Sequence, residues 1–367
     1  MTRVDLLMRR ALSENIFPGA VLLAAKEDSI RFFEAYGLAN IFTRVCMTRD
    51  TIFDLASLTK PLATTLAVMK LVENAKIGLD QDLGTILPDF QSQDKSAIKV
   101  NHLLYHTSGL PDYRPYYKTI ADLPSASRVD ALRMLLVQEN LIHPIGRKVL
   151  YSDLGFMILR WVVEHISGCR LDYFVADEIY APLGLKDLFF IDLNSDLRQR
   201  RYAATERCPW RRTLLEGRVH DENAYAAGGI EGHAGLFGTA ENIYLLLSAM
   251  LFDFHEGPSR KLFFPKTVRT FFQRLPNTDK SLGFDMPSDR NSSAGRFFSR
   301  RSVGHLGFTG TSFWMDLDRR IIVVLLSNRV HPARENDAIR TFRPLLHDAV
   351  MKALIGSAPS RKAYAPE

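Results

Sequence analysis

Ser57-Leu58-Thr59-Lys60 stands at the head of an apolar-striped segment whose spacing predicts a helix. A serine hydroxyl is a weak nucleophile until a neighbouring base takes its proton. Residues three apart share one helix face, roughly 5–6 Å apart at Cβ, so this spacing brings an amine within reach of a hydroxyl. A helix start also offers partial positive charge and free N–H groups, which suit a developing oxyanion. The same four residues also read as a solvated helix start, so what matters is the company they keep. Tyr151-Ser152-Asp153 follows the turn-like Pro144-Ile145-Gly146 and precedes a helix. It reads either as a packed tyrosine beside an Asp N-cap, or as a phenol near a lysine. In the second case the cation favours phenolate and the phenol can shuttle a proton. Val303 to Thr311 carries His305, Gly307 and Phe308. It is either a Gly-rich turn or an edge strand lining a cleft, its glycines admitting substrate to the backbone.

The elements that must position these residues are legible in the periodicity. Residues 3–15 predict a helix with Val4, Leu7, Met8 and Leu12 apolar, and 19–25 and 30–36 predict two strands of a hairpin or meander. A helix over 57–75 places Leu62, Leu66, Met69 and Val72 on one stripe, with Pro61 tolerated in its first turn. From 76 to about 250 the chain reads as mostly helical, with helices over 129–138, 154–166 ending at Gly168, and 171–180 before Pro182. Thr239 reads as an N-cap opening a helix through Leu251. Strands over 311–316 and 321–327 follow, then a helix over 334–354 and a loose tail. The polar stretches 190–220 and 275–300 read as surface excursions. Strands at both ends with helices between imply one sheet built from both termini, a helical insertion, and a ligand cleft between the two.

Composition bounds the function. The 367 residues are 46% hydrophobic and 24% charged, as in a globular enzyme-sized chain. The net charge of +6 is mild, and the basic clusters Arg198–Arg201, Trp210-Arg211-Arg212 and Arg300-Arg301 are short. Without a long basic stripe interleaved with aromatics, nucleic acid is not an expected partner. Cys46, Cys169 and Cys208 are an odd number without metal-like spacing. They read as free thiols, at least two of them buried, in a reducing compartment. The N-terminus lacks the apolar core of a signal peptide and no apolar run reaches membrane-spanning length, so a cytoplasmic location is expected. Val219-His220-Asp221-Glu222-Asn223-Ala224 and Gly232-His233-Ala234-Gly235 are rich in His and carboxylates, but their spacing is not that of a metal site. They read as pocket-shaping residues, with direct substrate contact as the alternative.

Together the three motifs resemble the serine β-lactamase and penicillin-recognising superfamily, and within it the class C β-lactamase-like group. That group includes D-alanyl-D-amino-acid peptidases, aminopeptidases and a set of carboxylesterases. The order S-x-x-K, Y-x-N, K/H-x-G matches, with gaps of about 90 and about 150 residues. Ile52–Ala56, His102–Leu110 and Gly235–Ala240 add to the likeness, which covers residues from about 10 to 350. It implies an α/β (α+β) fold of β-lactamase/transpeptidase type: an antiparallel sheet flanked by terminal helices, with an inserted, mostly helical subdomain. Residues 1–355 would form one catalytic domain, with a sheet part near 1–56 and 295–355 and a helical part near 57–294. The resemblance further implies that Ser57 forms an acyl-enzyme and that Lys60 and Tyr151 activate it and relay its proton. The oxyanion hole would be the N–H groups of Ser57 and Phe308, with Asp153, His305 and Gly307 beside the substrate. It implies no metal or organic cofactor, and a small ester, amide or peptide as substrate. Two departures stand out. Asp153 replaces the usual Asn, so it accepts hydrogen bonds only and holds Lys60 protonated more firmly. His305-Leu306 replaces Lys-Thr/Ser, removing a hydroxyl and leaving a group charged only below about pH 6.5. Both point toward esterase or D-amino-acid peptidase chemistry. β-Lactam hydrolysis or binding, and a non-catalytic binding relative, remain as alternatives.

Overall fold

A computed structural model describes residues 1–91, 94–195, 200–255 and 261–356. Part of the basic cluster at 198–201 and the tail beyond Gly356 lie outside these residues. In chain order the strands are β1 Gly19–Lys26, β2 Ser29–Asn40, β3 Val45–Cys46, β4 Phe53–Asp54, β5 Leu188–Phe190, β6 Arg207–Cys208, β7 Thr213–Leu214, β8 Leu236–Gly238, β9 Lys280–Ser281, β10 Phe284–Asp285, β11 Val303–Leu306, β12 Ser312–Asp316 and β13 Ile321–Ser327. Eight form one antiparallel sheet in the order β3-β2-β1-β13-β12-β11-β10-β9. Its centre joins the two ends of the chain, Ala20 opposite Ser327 and Lys26 opposite Ile321.

Both faces of that centre are covered, which is why β1 and β13 read as unbroken apolar runs. Val21, Leu23, Ile322, Val324 and Leu326 enter the core shared with the helical region. Ala20, Leu22, Ile321, Val323 and Leu325 pack instead under the terminal helices Thr2–Ser13 and Ile339–Ile355. Each buried Leu, Ile or Val contributes about 1.5–3 kcal/mol. Among the described residues no helix is long and apolar enough to cross a membrane.

The structure departs from the sequence reading in several places. The polar stretch 275–300 supplies β9 and β10, the edge of the large sheet, with Leu282, Phe284 and Met286 buried. Sheet residues therefore begin before 295. Tyr202 to Glu206 and Cys208 are buried rather than superficial, Ala204 N–H donating to the Ala39 carbonyl. Only Cys208 of the three thiols is buried, with Cys46 exposed and Cys169 intermediate. The last helix starts at Ile339 rather than 334, which leaves Arg334 in a loop. By contrast, Thr239 caps the helix Ala240–His255 through Asn242 N–H, and Gly168 ends the helix Asp153–Ser167 in a left-handed conformation.

Candidate active site

The chain around Ser57 is not one continuous helix. Ala56–Leu58 forms a single 3₁₀ turn, Lys60–Thr64 a wider π-type turn, and the α-helix proper runs Thr65–Glu73. Pro61 has no N–H to give to the carbonyl four residues back, so the ladder cannot start in α register there. Past the proline, the Thr65 N–H reaches five residues back to the Lys60 carbonyl. Ala56 sits at φ +48°, a left-handed conformation that costs a non-glycine residue about 1–3 kcal/mol. Its N–H is held by Asp54 Oδ1 at 2.9 Å, while Asp54 Oδ2 takes the His220 N–H at 2.6 Å. One buried carboxylate thus ties the Ser57 turn to the His220 segment.

The strand pair β11–β12 is stitched to the same turn. Thr309 Oγ1 donates to the Asp54 carbonyl at 2.7 Å and Thr311 Oγ1 to the Leu55 carbonyl at 3.1 Å. Gly307 lies at the point of closest approach, where a Cβ would meet Thr311 Oγ1 at 2.0 Å and the Leu55 carbonyl at 2.6 Å. This seam brings Phe308 beside Ser57 in the wall of one cavity. Among the described residues the Phe308 N–H has no hydrogen-bond acceptor.

Lys60 is fully buried beneath the serine. Its Nζ lies 3.2 Å from Ser57 Oγ, 3.2 Å from the His233 carbonyl, and 4.7 Å from the centre of the Tyr151 ring. Asp153 Oδ1 forms an ion pair with it at 2.7 Å. The sequence allowed Asp153 as a helix cap, but the cap is Ser152, whose Oγ accepts the Gly155 N–H. That leaves the Asp153 carboxylate free to face the lysine.

Electrostatics set the resting protonation. Burial opposes charge on Lys60, but Asp153, with Tyr151, raises its pKa above the ordinary lysine value. For Tyr151 burial is the larger effect, and with Asp153 it raises the phenol above its usual range despite the opposing pull of Lys60 and the contact with Ser57. The phenolate expected from a neighbouring cation is therefore not the resting form. Lys60 is an ammonium and Tyr151 a phenol at neutral pH.

The cavity holds about 360 Å³ and is lined by Ser57, Tyr151, Asp153 and Phe308 together with Tyr113, His220, Asp221, Glu222, His233 and Arg334. His233 Nε2 and Asp221 Oδ1 pair at 2.9 Å. Burial alone would lower His233, yet Asp221 outweighs it and raises it, and burial of Asp221 is likewise overridden by His233, which lowers it. Arg334 is held by Glu206 and by Glu222 Oε1 at 2.7 Å. His305 and Gly307 do not line the cavity. Both are buried, and burial lowers His305 to about 4, against the opposing Asp285, so it is neutral at pH 7. The structure thus gathers Ser57, Lys60, Tyr151, Asp153 and Phe308 at one place, with His305 and Gly307 behind the wall. His220, Asp221 and His233 also reach it, from the His-rich stretch. Tyr113 and Arg334 were not visible as site residues, and no local motif marks either.

Residues 4–347 match the sequence profile of a family described as Beta-lactamase. A Salmonella agona protein described as "Putative D-alanyl-D-alanine carboxypeptidase" is 34% identical over 354 residues, covering 88% of this chain and 81% of its own. The N-acetylmuramyl-L-alanine amidase of Bacillus subtilis is 32% identical over 363 residues, covering 90% and 81%. Among solved structures, EstCE1, described as a hydrolase with promiscuous acyltransferase activity, superposes with a TM-score of 0.74 at 25% identity, over 95% of this chain and 98% of its own. The octameric penicillin-binding protein homologue of Pyrococcus abyssi, at 18% identity, shares the fold with a TM-score of 0.73, over 98% and 78%.

Proposed function

The chain belongs to the beta-lactamase family and is a serine hydrolase acting through an acyl-enzyme; from that premise we propose that Ser57 carries the acyl group and that the substrate is an ester or small amide. The observation that carries this reading is Lys60 Nζ, fully buried and 3.2 Å from Ser57 Oγ at the edge of a cavity. Ser57 Oγ attacks the carbonyl carbon as its proton passes to the Lys60–Tyr151 pair. The carbonyl oxygen becomes an oxyanion against the Ser57 and Phe308 N–H groups, each such donor being worth about 3–4 kcal/mol. The bond to the leaving group then breaks and the pair returns the proton to it. Water repeats the sequence on the acyl-enzyme and releases the acid. Since Lys60 and Tyr151 rest protonated, the pair works as a base only after losing a proton, and the rate rises with pH.

The wall favours uncharged substrates over those carrying a carboxylate. Asp153, Asp221 and Glu222 line it, Arg334 is already held by two glutamates, and His305 behind it is neutral and buried. Three unpaired cysteines fit a reducing, cytoplasmic setting. The test is a parallel assay of p-nitrophenyl butyrate, D-alanine p-nitroanilide and a chromogenic cephalosporin, with Ser57→Ala as control. The ester is expected to turn over at least tenfold faster than the cephalosporin, with all activity lost in the variant. The cephalosporin as best substrate would return the reading to β-lactam hydrolysis. Turnover that survives Ser57→Ala would remove the serine from the chemistry.

A further inference from the structure

His106 takes no part in the chemistry above, yet it touches the Tyr151 segment at three points. Its carbonyl accepts the Leu150 N–H at 2.8 Å, and its Nδ1 accepts the Ser152 N–H at 3.0 Å. Its ring lies 4.6 Å from the Tyr151 ring with 33° between the planes. The residues on either side of the phenol are thus bonded to one side chain and its own backbone, and the phenol ring rests on that side chain. The residues that follow His106 continue the frame. Gly109 O accepts the Ile142 N–H at 2.9 Å, Pro111 O accepts the Ser152 hydroxyl at 2.6 Å, and Asp112 O accepts the Asp153 N–H at 2.9 Å.

Residue type matters at this position in two ways. His106 sits at φ +59°, where Asn, Asp and His are enriched over other non-glycine residues. It is 5% exposed, and burial with Lys280 and Lys60 nearby keeps the imidazole neutral. A neutral ring whose Nδ1 accepts the Ser152 N–H carries its proton on Nε2.

We propose that His106 is a positioning residue for Tyr151, fixing the backbone on both sides of the phenol and the plane of its ring so that the hydroxyl stays at Lys60 and Ser57. This rests on the reading of Ser57 and Tyr151 as the acyl-transfer machinery. The phenol is one of a dozen residues lining the cavity but is the one that moves the proton, so the effect falls mainly on kcat rather than on KM.

The experiment measures p-nitrophenyl butyrate kinetics and the rate of Ser57 labelling by a fluorophosphonate. The variants are His106→Gly, which suits the positive φ but removes ring and acceptor, and His106→Asn, which keeps an acceptor and tolerates the backbone. Each is made alone and with Tyr151→Phe. His106→Gly is expected to lower kcat by about 10- to 100-fold with KM within about threefold. His106→Asn is expected to recover at least half of that loss on a logarithmic scale. With phenylalanine at 151 the same His106 substitutions should cost less than about threefold, because there is no hydroxyl left to aim. Equal losses in both backgrounds, no recovery in His106→Asn, or an unchanged kcat in His106→Gly would each overturn the proposal. Should His106→Gly fail to fold by thermal melting, His106→Asn and His106→Phe divide the question, one keeping the acceptor and the other the ring, and the same Tyr151→Phe comparison decides it. A wild-type protein left unlabelled at Ser57, with Tyr151→Phe as active as wild type, would instead count against the acyl-transfer reading itself.

Discussion

Replacing Asp153 by Asn tests how firmly the fold keeps its lysine charged. Oδ1 lies 2.7 Å from Lys60 Nζ, and the lysine is wholly buried. Two unit charges at that distance attract by about 6 kcal/mol at an effective dielectric of about 20. Asp153 keeps 19% of its side chain exposed, and the amide still turns a carbonyl dipole toward the amine. We therefore take roughly half, about 3 kcal/mol, as the loss of preference for the ammonium. At about 1.4 kcal/mol per tenfold, the fraction of enzyme with a free lysine lone pair at pH 7 rises about 100-fold. The less basic amine is a weaker proton acceptor, which takes back roughly half of this on a logarithmic scale, leaving about tenfold. The sign follows from the raised pKa of Lys60: activity climbs with pH as the pair loses its proton, and without Asp153 that climb occurs at lower pH. Asp153→Asn is thus expected to label with fluorophosphonate about tenfold faster than wild type at pH 7, and to lose that advantage in alkali. The assay is the second-order labelling rate from pH 6 to 10 in both proteins. A variant slower than wild type by more than tenfold at every pH would refute the reasoning, since the carboxylate would then itself be receiving the serine proton through Lys60.

Other consequences follow from the same contacts. Gly109 stands at φ +82°, and a Cβ there would lie 2.1 Å from the His143 carbonyl oxygen; Gly109→Ala is expected to lose at least about 2 kcal/mol by urea denaturation, and a loss below about 0.5 kcal/mol would show that the loop simply yields. Acid should unfold the protein in two stages. Burial holds His305 and His347 down at about 4, so their share of stability is complete above pH 6.5 and disappears as pH falls through 4. Glu206 is buried, which alone would raise it, but His220 and Arg334 bring it to about 2. Its contribution of about 2–3 kcal/mol is therefore complete above pH 4.5 and is lost as pH falls through 2. Melting temperatures at pH 7, 5 and 3 measure this, and Glu206→Gln should flatten the lower stage; a melting temperature that holds from pH 7 to 3 would contradict it.

What the sequence disclosed was what local pattern can carry. The apolar runs of β1 and β13, the Thr239 cap and the Gly168 stop each reflect a rule that acts within a few residues. The Ser57 and Tyr151 motifs were visible for the same reason, and their spacing suited the family. What it hid was set by contacts between distant segments. β9 and β10 are two residues each, too short for any period, and exist because β11 offers β10 an edge and β10 in turn offers one to β9. Tyr202 to Glu206 look polar or neutral but are buried by the neighbouring sheet edge. Arg334 reaches the cavity because Glu206 and Glu222, 128 and 112 residues away, hold it there. The resting state of Tyr151 was hidden for a related reason. A neighbouring cation can be inferred from motifs, whereas the depth of burial that outweighs it is a property of the folded chain.

The central claim is that Ser57 is an activated nucleophile. The most direct test is to react the folded protein with a fluorophosphonate probe and map the modified residue by mass spectrometry, with Ser57→Ala alongside. The account predicts one adduct, on the peptide containing Ser57, absent from the variant. An adduct that persists on another residue in Ser57→Ala, or a folded wild-type protein that takes none, would contradict it.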